Sequence, residues 1–326
     1  MDDLLIGLVK SLVVVLALLT GFAYTTLLER KLIGRIQLRY GPNRVGPLGM
    51  LQPLADGVKL LFKEEIVPRG SDRAVYFLAP ALSVISALVA FAVIPIGGVV
   101  SLFGREFSLS LADLNIGVLF LLAVNSMGVY GIVLAGWSSN NKYSLLGGVR
   151  SSAQLISYEL ALGLAVVSVV MMAGSVRLRD IVAGQDIPYI FLLPVGFILY
   201  FIAGIAEVNR APFDLPEAET ELVAGYHTEY TGMKFAMFFM AEYINMITVS
   251  AVATTLFLAG WRGPGPDGPH WFLLKVVLLI CVFIWVRATF PRLRYDKLMR
   301  LGWLVLLPLG LANLVVTAAL VLLFER

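Results

Sequence analysis

The fold is decided by a run of apolar residues near the end of the sequence, LGWLVLLPLGLANLVVTAALVLLFE (residues 301–325), in which only the last residue is charged. A membrane-spanning helix needs about 20 mostly apolar residues to cross a hydrocarbon core of roughly 30 Å, so this run predicts such a helix. Seven further segments pass the same test. The eight predicted spans are 4–28, 74–95, 116–136, 152–174, 189–208, 235–260, 272–290 and 301–325.

The composition predicts an all-α integral membrane protein. Of the 326 residues, 59% are apolar and 14% are charged, and the mean hydropathy is +0.87. Soluble domains carry roughly 25% charged residues, so a soluble enzyme, a disordered chain and a disulfide-stapled secreted domain are excluded. The short alternating segments of a β-barrel do not occur. Asp2 and Asp3 stand where a signal peptide has basic residues, so we expect the first span to be retained.

The scarce polar residues exclude further functions. The chain has one cysteine, Cys281, and two histidines, His227 and His270. Too few ligands are available for an iron–sulfur cluster or a zinc site. We therefore expect no metal site and no cofactor bound by this chain alone. The net charge of +3 is too small to predict a nucleic-acid partner.

Lysine and arginine are distributed unequally between the loops. The loops after the first, third, fifth and seventh spans hold seventeen, and the opposite loops hold five. Because basic residues favour the cytoplasmic side, we predict a multi-pass protein of the cell (inner) membrane with both termini on the outer, periplasmic side. The polar chemistry lies mostly in the predicted cytoplasmic loops 29–73, 137–151 and 209–234. The outer connections, such as Gly263-Pro264-Gly265-Pro266, are typical of plain spacers.

The first cytoplasmic loop contains a predicted amphipathic helix at residues 48–64. Its apolar residues recur at helical spacing, while Gln52, Asp56, Lys59 and Lys63 fall opposite. Such a helix lies along the membrane surface or against a partner. The segment RYGPNRVGP before it (residues 39–47) is too rich in glycine and proline for a helix and too basic for lipid. It suits a docking surface for a soluble partner, but a simple interfacial anchor remains an alternative.

Four acids lie at predicted membrane depth, namely Glu29, Glu159, Glu207 and Glu242. Ionisable groups cost about 2.5–3.5 kcal/mol at the centre of a span, so each needs a reason. With Arg30 and Lys31 beside it, Glu29 is also compatible with a marker of the membrane interface. Glu159 and Glu242 are compatible with hydrogen-bonded packing residues, and the adjacent Tyr158 and Tyr243 are candidate partners.

The fifth span runs into an acidic segment, AEVNRAPFDLPEAETE (residues 206–221). Pro212 and Pro216 stop a helix there, and broken backbone at this depth is tolerated only inside protein or beside water. Asp214 and Glu217 have the spacing of a helix capping box. That does not account for Glu217, Glu219 and Glu221 beside Glu207. Crowded carboxylates hold protons near neutral pH, so the acids predict a proton relay, with Arg210 and Arg287 as candidate counter-charges.

Physical reasoning alone leaves a proton-coupled transporter and a subunit of an energy-converting enzyme as alternatives. Several longer motifs are more specific. They are Glu29-Arg30-Lys31, residues 39–47, GWSSNNKYS (136–144), Ser157-Tyr158-Glu159, residues 207–221, YHTEY (226–230) and RATFPR (287–292). Together they closely resemble a membrane subunit family of respiratory complex I, whose members are the H subunits of bacteria and subunit 1 of mitochondria.

The resemblance implies a subunit of a proton-translocating NADH:quinone oxidoreductase that forms the membrane side of the quinone chamber. Quinone would be the substrate, and FMN and iron–sulfur clusters would belong to partner subunits. The partners implied are quinone-site and iron–sulfur subunits of the hydrophilic arm, antiporter-like membrane subunits and the lipid bilayer. Spans two to six would resemble half of an antiporter-like bundle. The identity of the quinone, ubiquinone or menaquinone, stays open.

The resemblance also assigns roles to residues. The relay residues would be Glu159, Glu207, Asp214, Glu217, Glu219, Glu221 and Glu242. The candidate quinone-binding residues are Glu29, Arg30, Arg35, Arg210 and Tyr226. One position departs from the family, because some members carry another acid in the third span, where this chain has Asn125 and Ser126.

Three rival classes remain as alternatives to this assignment. A stand-alone proton-coupled carrier has little use for a basic docking loop, and a structural scaffold leaves the buried carboxylates without cause. Related subunits of membrane-bound hydrogenases share part of the motif set.

Overall fold

The computed structural model describes residues 2–102, 105–214 and 224–324. In this part of the chain seven helices are long and apolar enough to cross a membrane, and an eighth apolar helix is shorter. The prediction of an all-α integral membrane protein is confirmed. In chain order the helices are α1 (Asp2–Ile36), α2 (Gln52–Leu61), α3 (Arg73–Phe91), α4 (Gly117–Ser138), α5 (Lys142–Ala173), α6 (Leu178–Ala183), α7 (Tyr189–Leu192), α8 (Pro194–Glu207), α9 (Gly232–Phe257), α10 (Pro269–Thr289), α11 (Tyr295–Arg300) and α12 (Leu307–Phe324).

Several short elements complete the structure. Two 3₁₀ turns cover Pro47–Gly49 and Gly225–His227, and a π-helical stretch, Leu301–Leu306, joins α11 to α12. Strands β1 (Val99–Leu102) and β2 (Arg105–Ser108) form an antiparallel hairpin between α3 and α4, with Val99 opposite Ser108. A plain spacer was predicted there, because strands of four residues leave little periodic signal.

Two helices extend beyond the predicted spans. Helix α1 continues to Ile36 and α5 begins at Lys142. The start of α5 is capped, since the Asn141 side chain accepts a hydrogen bond from the Tyr143 N–H at 3.0 Å. A hydropathy pattern detects only the apolar part of such a helix, whereas the cap fixes where the helix begins.

The fifth predicted span is broken in the structure. Its first turn is α7, and α8 begins after Leu193, whose backbone is not helical. Pro194 occupies the first turn of α8, where its missing N–H is harmless. A helix of 14 residues is about 21 Å long, which is shorter than the hydrocarbon core. Glu207, at its end, therefore lies inside the bundle.

Four connections meet at one end of the bundle, which we call the loop face (residues 37–72, 139–141, 208–231 and 290–294, as far as they are described). Hydrogen bonds join them in pairs. The bonds run from Asp72 N to Ser138 O (3.2 Å), from Ile66 N to Thr231 Oγ1 (3.1 Å), from Asn141 Nδ2 to Glu229 Oε1 (2.6 Å) and from Leu293 N to Pro212 O (3.0 Å). The loop face is therefore a connected surface.

Helix α9 is the most buried of the seven candidate spans. It packs against α3, α10 and α1. At the end opposite the loop face, Lys275 of α10 donates to the carbonyls of Leu258, Gly260 and Arg262, at 2.6, 3.0 and 2.5 Å. The last carbonyls of a helix lack partners within it, so this ammonium group stabilises the end of α9.

Candidate functional site

Three of the predicted relay carboxylates line one cavity inside the bundle. Glu159 lies on α5, Glu207 ends α8 and Glu242 lies on α9. The cavity has a volume of about 50 Å³, and a buried water needs roughly 10–15 Å³, so a few water molecules fit. We call this space the acid cavity. Its other polar lining residues are Ser83, Ser86, Asn125, Asn209, Tyr226 and Asn245.

Glu207 is held from the third span. Asn125 Nδ2 on α4 donates to Glu207 Oε1 at 3.1 Å. Glu207 Oε2 is buried and accepts no hydrogen bond from the described residues. Glu207 also lines a second, apolar void of about 10 Å³ towards the opposite end of the bundle. The carboxyl group therefore stands where the polar cavity ends.

The break after Glu207 is supported by a glutamine of α5. Asn209 has a left-handed backbone, with φ of 55°. Gln154, which is fully buried, donates through Nε2 to the carbonyls of Ala206 and Phe213, both at 2.8 Å. One side chain thus bonds to both sides of the break, which satisfies backbone groups that would otherwise be costly at this depth.

Glu159 lies where α5 packs against α4. It accepts a hydrogen bond from the Ser126 hydroxyl on α4, and both residues are half-buried. The predicted partner Tyr158 points elsewhere, since its hydroxyl donates to the Leu298 carbonyl at 2.9 Å. Adjacent helical residues point about 100° apart, which is why sequence adjacency misassigned this contact. The third span therefore bonds to two of the three carboxylates.

Glu242 is paired with Arg210, which is its counter-charge. Arg210 Nη2 lies 3.4 Å from Glu242 Oε2, and the Tyr226 hydroxyl donates to Glu242 Oε1 at 3.2 Å. Both side chains of the ion pair are buried. A buried ion pair is stable only if further hydrogen bonds satisfy its atoms, and Tyr226 supplies one. Arg210 and Tyr226, predicted as quinone-binding residues, are thus contacts of the relay residue Glu242.

The guanidinium group of Arg210 also lies over the ring of Tyr243, 4.3 Å from its centre. Tyr243, named in the sequence as a partner for Glu242, thus holds the arginine by a cation–π contact. Tyr243 in turn lines a larger cavity between α1, α2 and α9. A continuous line of contacts therefore joins that cavity to the acid cavity.

The larger cavity has a volume of about 320 Å³, within the range of small-molecule sites. We call it the apolar cavity. Its lining is mostly apolar, and Arg30 of α1 pairs with Asp56 of α2 beside it at 2.6 Å. The apolar lining residues include Phe22, Ala23, Pro53, Leu60, Met233, Met237, Phe239 and Met240.

Three further predicted site residues, Glu29, Arg35 and Asp214, lie on or next to the loop face. Glu29 is buried and pairs with Arg287 of α10, so it does not mark an exposed interface. Asp214 is buried and accepts a hydrogen bond from Arg292 Nη2 at 3.0 Å. Arg35 is exposed at the end of α1. Glu217, Glu219 and Glu221 lie outside the described residues.

A histidine packs beside the acid cavity on the loop face. His227 follows Tyr226 in the second 3₁₀ turn, and its ring contacts Tyr226, Phe235 and Phe239. Burial lowers the pKa of His227 from 6.5 to about 4, because the apolar surroundings disfavour the charged ring. The ring is therefore neutral at physiological pH.

Sequence reasoning missed three polar residues that shape the site, namely Gln154, Asp56 and Arg292. Gln154 is a polar side chain within an apolar span, as the acids are, but an uncharged amide is less costly there and so gives a weaker signal. Asp56 belongs to the polar face of the predicted amphipathic helix, and Arg292 to one of the longer motifs. Their partners lie between 26 and 78 positions away in the chain, which no local pattern reveals.

The chain matches one family model and many named sequences. The family model is described as NADH dehydrogenase and matches residues 9–318. The NADH-quinone oxidoreductase H subunit of Protochlamydia amoebophila is 56% identical over 318 residues, covering 97% of this chain and 98% of the relative. The second H subunit of Geobacter metallireducens is 57% identical over 326 residues, covering 96% and 94%. The first H subunit of Geobacter sulfurreducens is 56% identical with the same coverage.

Proposed function

This chain belongs to the NADH dehydrogenase family, together with the H subunits of NADH-quinone oxidoreductase, and on that premise we propose that it forms the membrane side of a quinone chamber and links quinone reduction to a proton relay. The chain is a multi-pass membrane subunit of NADH-quinone oxidoreductase. Electrons reach the quinone from FMN and iron–sulfur clusters in partner subunits. Reduction of the quinone to a quinol takes up two electrons and two protons.

The apolar cavity between α1, α2 and α9 is the proposed quinone passage. Its volume and its phenylalanine and methionine lining suit an apolar ring with a lipid-like tail. Arg30, held in place by its ion pair with Asp56, supplies an N–H donor for a quinone carbonyl. Of the other candidate quinone-binding residues, Glu29 lies on the adjacent position of α1, and Arg35 lies one to two turns further along it.

One observation carries the coupling proposal: Tyr243 lines the apolar cavity and touches Arg210, which pairs with Glu242 in the acid cavity. A charge that changes beside Tyr243 acts through Arg210 on Glu242, because electrostatic interactions are strong in a low-dielectric interior. Glu242, Glu159 and Glu207 then exchange protons through water in the acid cavity. Asp214 continues the acids onto the loop face, and we assign Glu217, Glu219 and Glu221, which follow it in the sequence, to the same relay.

The partner surfaces follow from exposure and charge. The loop face and the helix ends next to it hold seventeen lysines and arginines, against five in the opposite loops, so the hydrophilic arm docks there and this face is cytoplasmic. Glu159 is half-buried where α5 packs against α4. A partly exposed carboxyl group is costly at membrane depth, so a neighbouring membrane subunit, antiporter-like in character, covers this part of α4 and α5.

Photo-labelling tests the quinone proposal. An azido-quinone that supports turnover of the intact complex is activated by light, and the labelled peptides are identified by mass spectrometry. We expect labelling of α9 around Met237 and Met240 that excess quinone suppresses. Labelling of this chain that consistently avoided α1, α2 and α9 would contradict the proposal. A matched variant, Met237→Trp, fills the cavity and should reduce labelling, whereas Leu278→Trp on the exposed side of α10 should not.

A further inference from the structure

We propose that Ser126 is a positioning residue for Glu159, whose hydroxyl reverses its hydrogen bond each time Glu159 gains or loses a proton. This inference rests on the proposed relay and adds a residue to it. It accounts for the third span, where this chain has Asn125 and Ser126 in place of an acid.

The geometry offers the Ser126 hydroxyl two acceptors. Ser126 Oγ lies 3.0 Å from the Leu122 carbonyl, one turn earlier on α4, and within hydrogen-bond distance of Glu159 Oε1 on α5. A hydroxyl has one hydrogen to donate and two lone pairs to accept with. It therefore donates to one of these acceptors at a time, and the protonation state of the Glu159 carboxyl group decides which one.

The two protonation states of Glu159 require opposite hydrogen bonds. As a carboxylate, Glu159 accepts only, so Ser126 donates its hydrogen to Oε1. When Glu207 or Glu242 releases its proton and water in the acid cavity passes a proton on to Glu159, the new carboxylic acid donates to Ser126 Oγ. The serine keeps its own hydrogen and turns it to the Leu122 carbonyl. One proton has been added to Glu159, and the heavy atoms have stayed in place.

The neighbouring residues do not serve this role. Asn125 Nδ2 is a donor only, so it favours an accepting oxygen on Glu207 in either state. The charged and titratable groups that face Glu159 across the acid cavity are Glu207 on α8, Glu242 on α9 with its partner Arg210, and Tyr226 on the second 3₁₀ turn. Ser126 is the hydroxyl bonded to Glu159 among the described residues.

The alternative is a purely structural serine. Serines in helices commonly bond back to the carbonyl one turn earlier, as Ser152 does to Val149 at 2.9 Å on α5. For such a serine, replacement by alanine leaves Glu159 unaffected. The two roles therefore differ in a spectroscopic property of the Glu159 carboxyl group.

Infrared difference spectroscopy of the assembled complex during quinone reduction measures that property. The carboxyl band of Glu159 is the band that Glu159→Gln removes. In Ser126→Ala we expect this band to shift to higher frequency, because the acid has lost its acceptor. We also expect the rate of proton pumping to fall about tenfold, which corresponds to the free energy of one hydrogen bond to a charged group. Ser126→Thr keeps the hydroxyl and should restore both, and Ser152→Ala should change neither.

Results that differ from these expectations distinguish failure of the Ser126 proposal from failure of the relay. An unshifted band and normal pumping in Ser126→Ala, with Glu159→Gln impaired, would overturn the role of Ser126 and leave the proposed relay standing. A threonine variant that behaves like alanine would also overturn it. Normal pumping in Glu159→Gln would remove the relay and this inference together. If the alanine variant does not assemble, Ser126→Cys, a weaker donor, should give an intermediate shift, and no shift would count against the proposal.

Discussion

At the scale of single residues, the ion pair between Arg210 and Glu242 is the contact that connects the apolar cavity to the acid cavity. Both side chains are buried, Arg210 also lies over the ring of Tyr243, and Glu242 accepts a hydrogen bond from the hydroxyl of Tyr226. The sequence identified Arg210 as a candidate counter-charge but also placed it with the quinone. The pairing with Glu242 depends on how α9 packs against the 208–214 segment, so motif reading did not reveal it.

Replacing Arg210 by Met should destabilise the subunit by about 3–5 kcal/mol, because Glu242 would be left buried without its counter-charge. The measurement is the apparent melting temperature of the purified complex. Adding Glu242→Gln should recover most of the loss, since no charge then remains to compensate. Arg294→Met, which removes an exposed pair with Asp296, is the control. If Arg210→Met alone were as stable as the wild type, the proposed role of the ion pair would be contradicted.

His227 predicts a pH dependence of stability. Its pKa is lowered from 6.5 to about 4 by burial, so between these values the unfolded chain binds more protons than the folded chain. Stability is therefore complete above pH 6.5 and falls as the pH drops towards 4, by about 3 kcal/mol at most. His227→Asn should remove this part of the loss, measured as the difference in melting temperature between pH 7.5 and pH 5. An identical difference in both proteins would contradict it.

At the scale of elements, the break after α8 is what brings a carboxyl group into the bundle. Pro212 and Pro216 made an end near Glu207 predictable. The earlier break at Leu193 was missed, although Pro194 was a visible signal, because hydropathy averaged over a whole span hides one proline. The two hydrogen bonds by which Gln154 clamps the break were unpredictable from local patterns, since the acceptors lie 52 and 59 positions away in the chain.

Replacing Gln154 by Met keeps the side chain's length but leaves the carbonyls of Ala206 and Phe213 without their donor. We expect a loss of about 1–3 kcal/mol for each unsatisfied group, together with lower proton pumping as Glu207 shifts. Melting temperature and pumping in proteoliposomes check these two effects. Ile156→Met, at an exposed position two residues further along α5, should leave both unchanged. A Gln154→Met complex that matched this control would contradict the clamp.

At the scale of the whole molecule, composition and hydropathy sufficed for the helical membrane class and for the number of apolar helices. The resemblance supplied the family, which the comparisons confirm, and most of the candidate site residues, whose roles stay predictions. What it did not supply is which residues meet, because contacts between helices depend on packing over the full bundle. The likeness of spans two to six to half of an antiporter-like bundle stays a prediction, as does the orientation.

Orientation is testable with single cysteines in a Cys281→Ala background, since Cys281 is the chain's one cysteine. Lys142→Cys on the loop face and Asp267→Cys at the opposite end are both exposed. In inside-out vesicles stripped of the hydrophilic arm, which would cover the loop face, we expect a membrane-impermeant maleimide to label the first and spare the second, because the loop face is cytoplasmic. Right-side-out cells should give the reverse. Labelling with the opposite sidedness would contradict the predicted orientation.

The central claim is that the carboxyl groups of the acid cavity carry protons driven by quinone reduction. Its most direct test is the number of protons translocated per quinone reduced in proteoliposomes holding the assembled complex. Glu159→Gln and Glu242→Gln remove one ionisable group each, and Glu229→Gln, an acid on the loop face bonded to Asn141, is the matched control. We predict that both cavity variants translocate fewer protons per quinone while the control keeps the wild-type ratio. Wild-type turnover and a wild-type ratio in both cavity variants would contradict the claim.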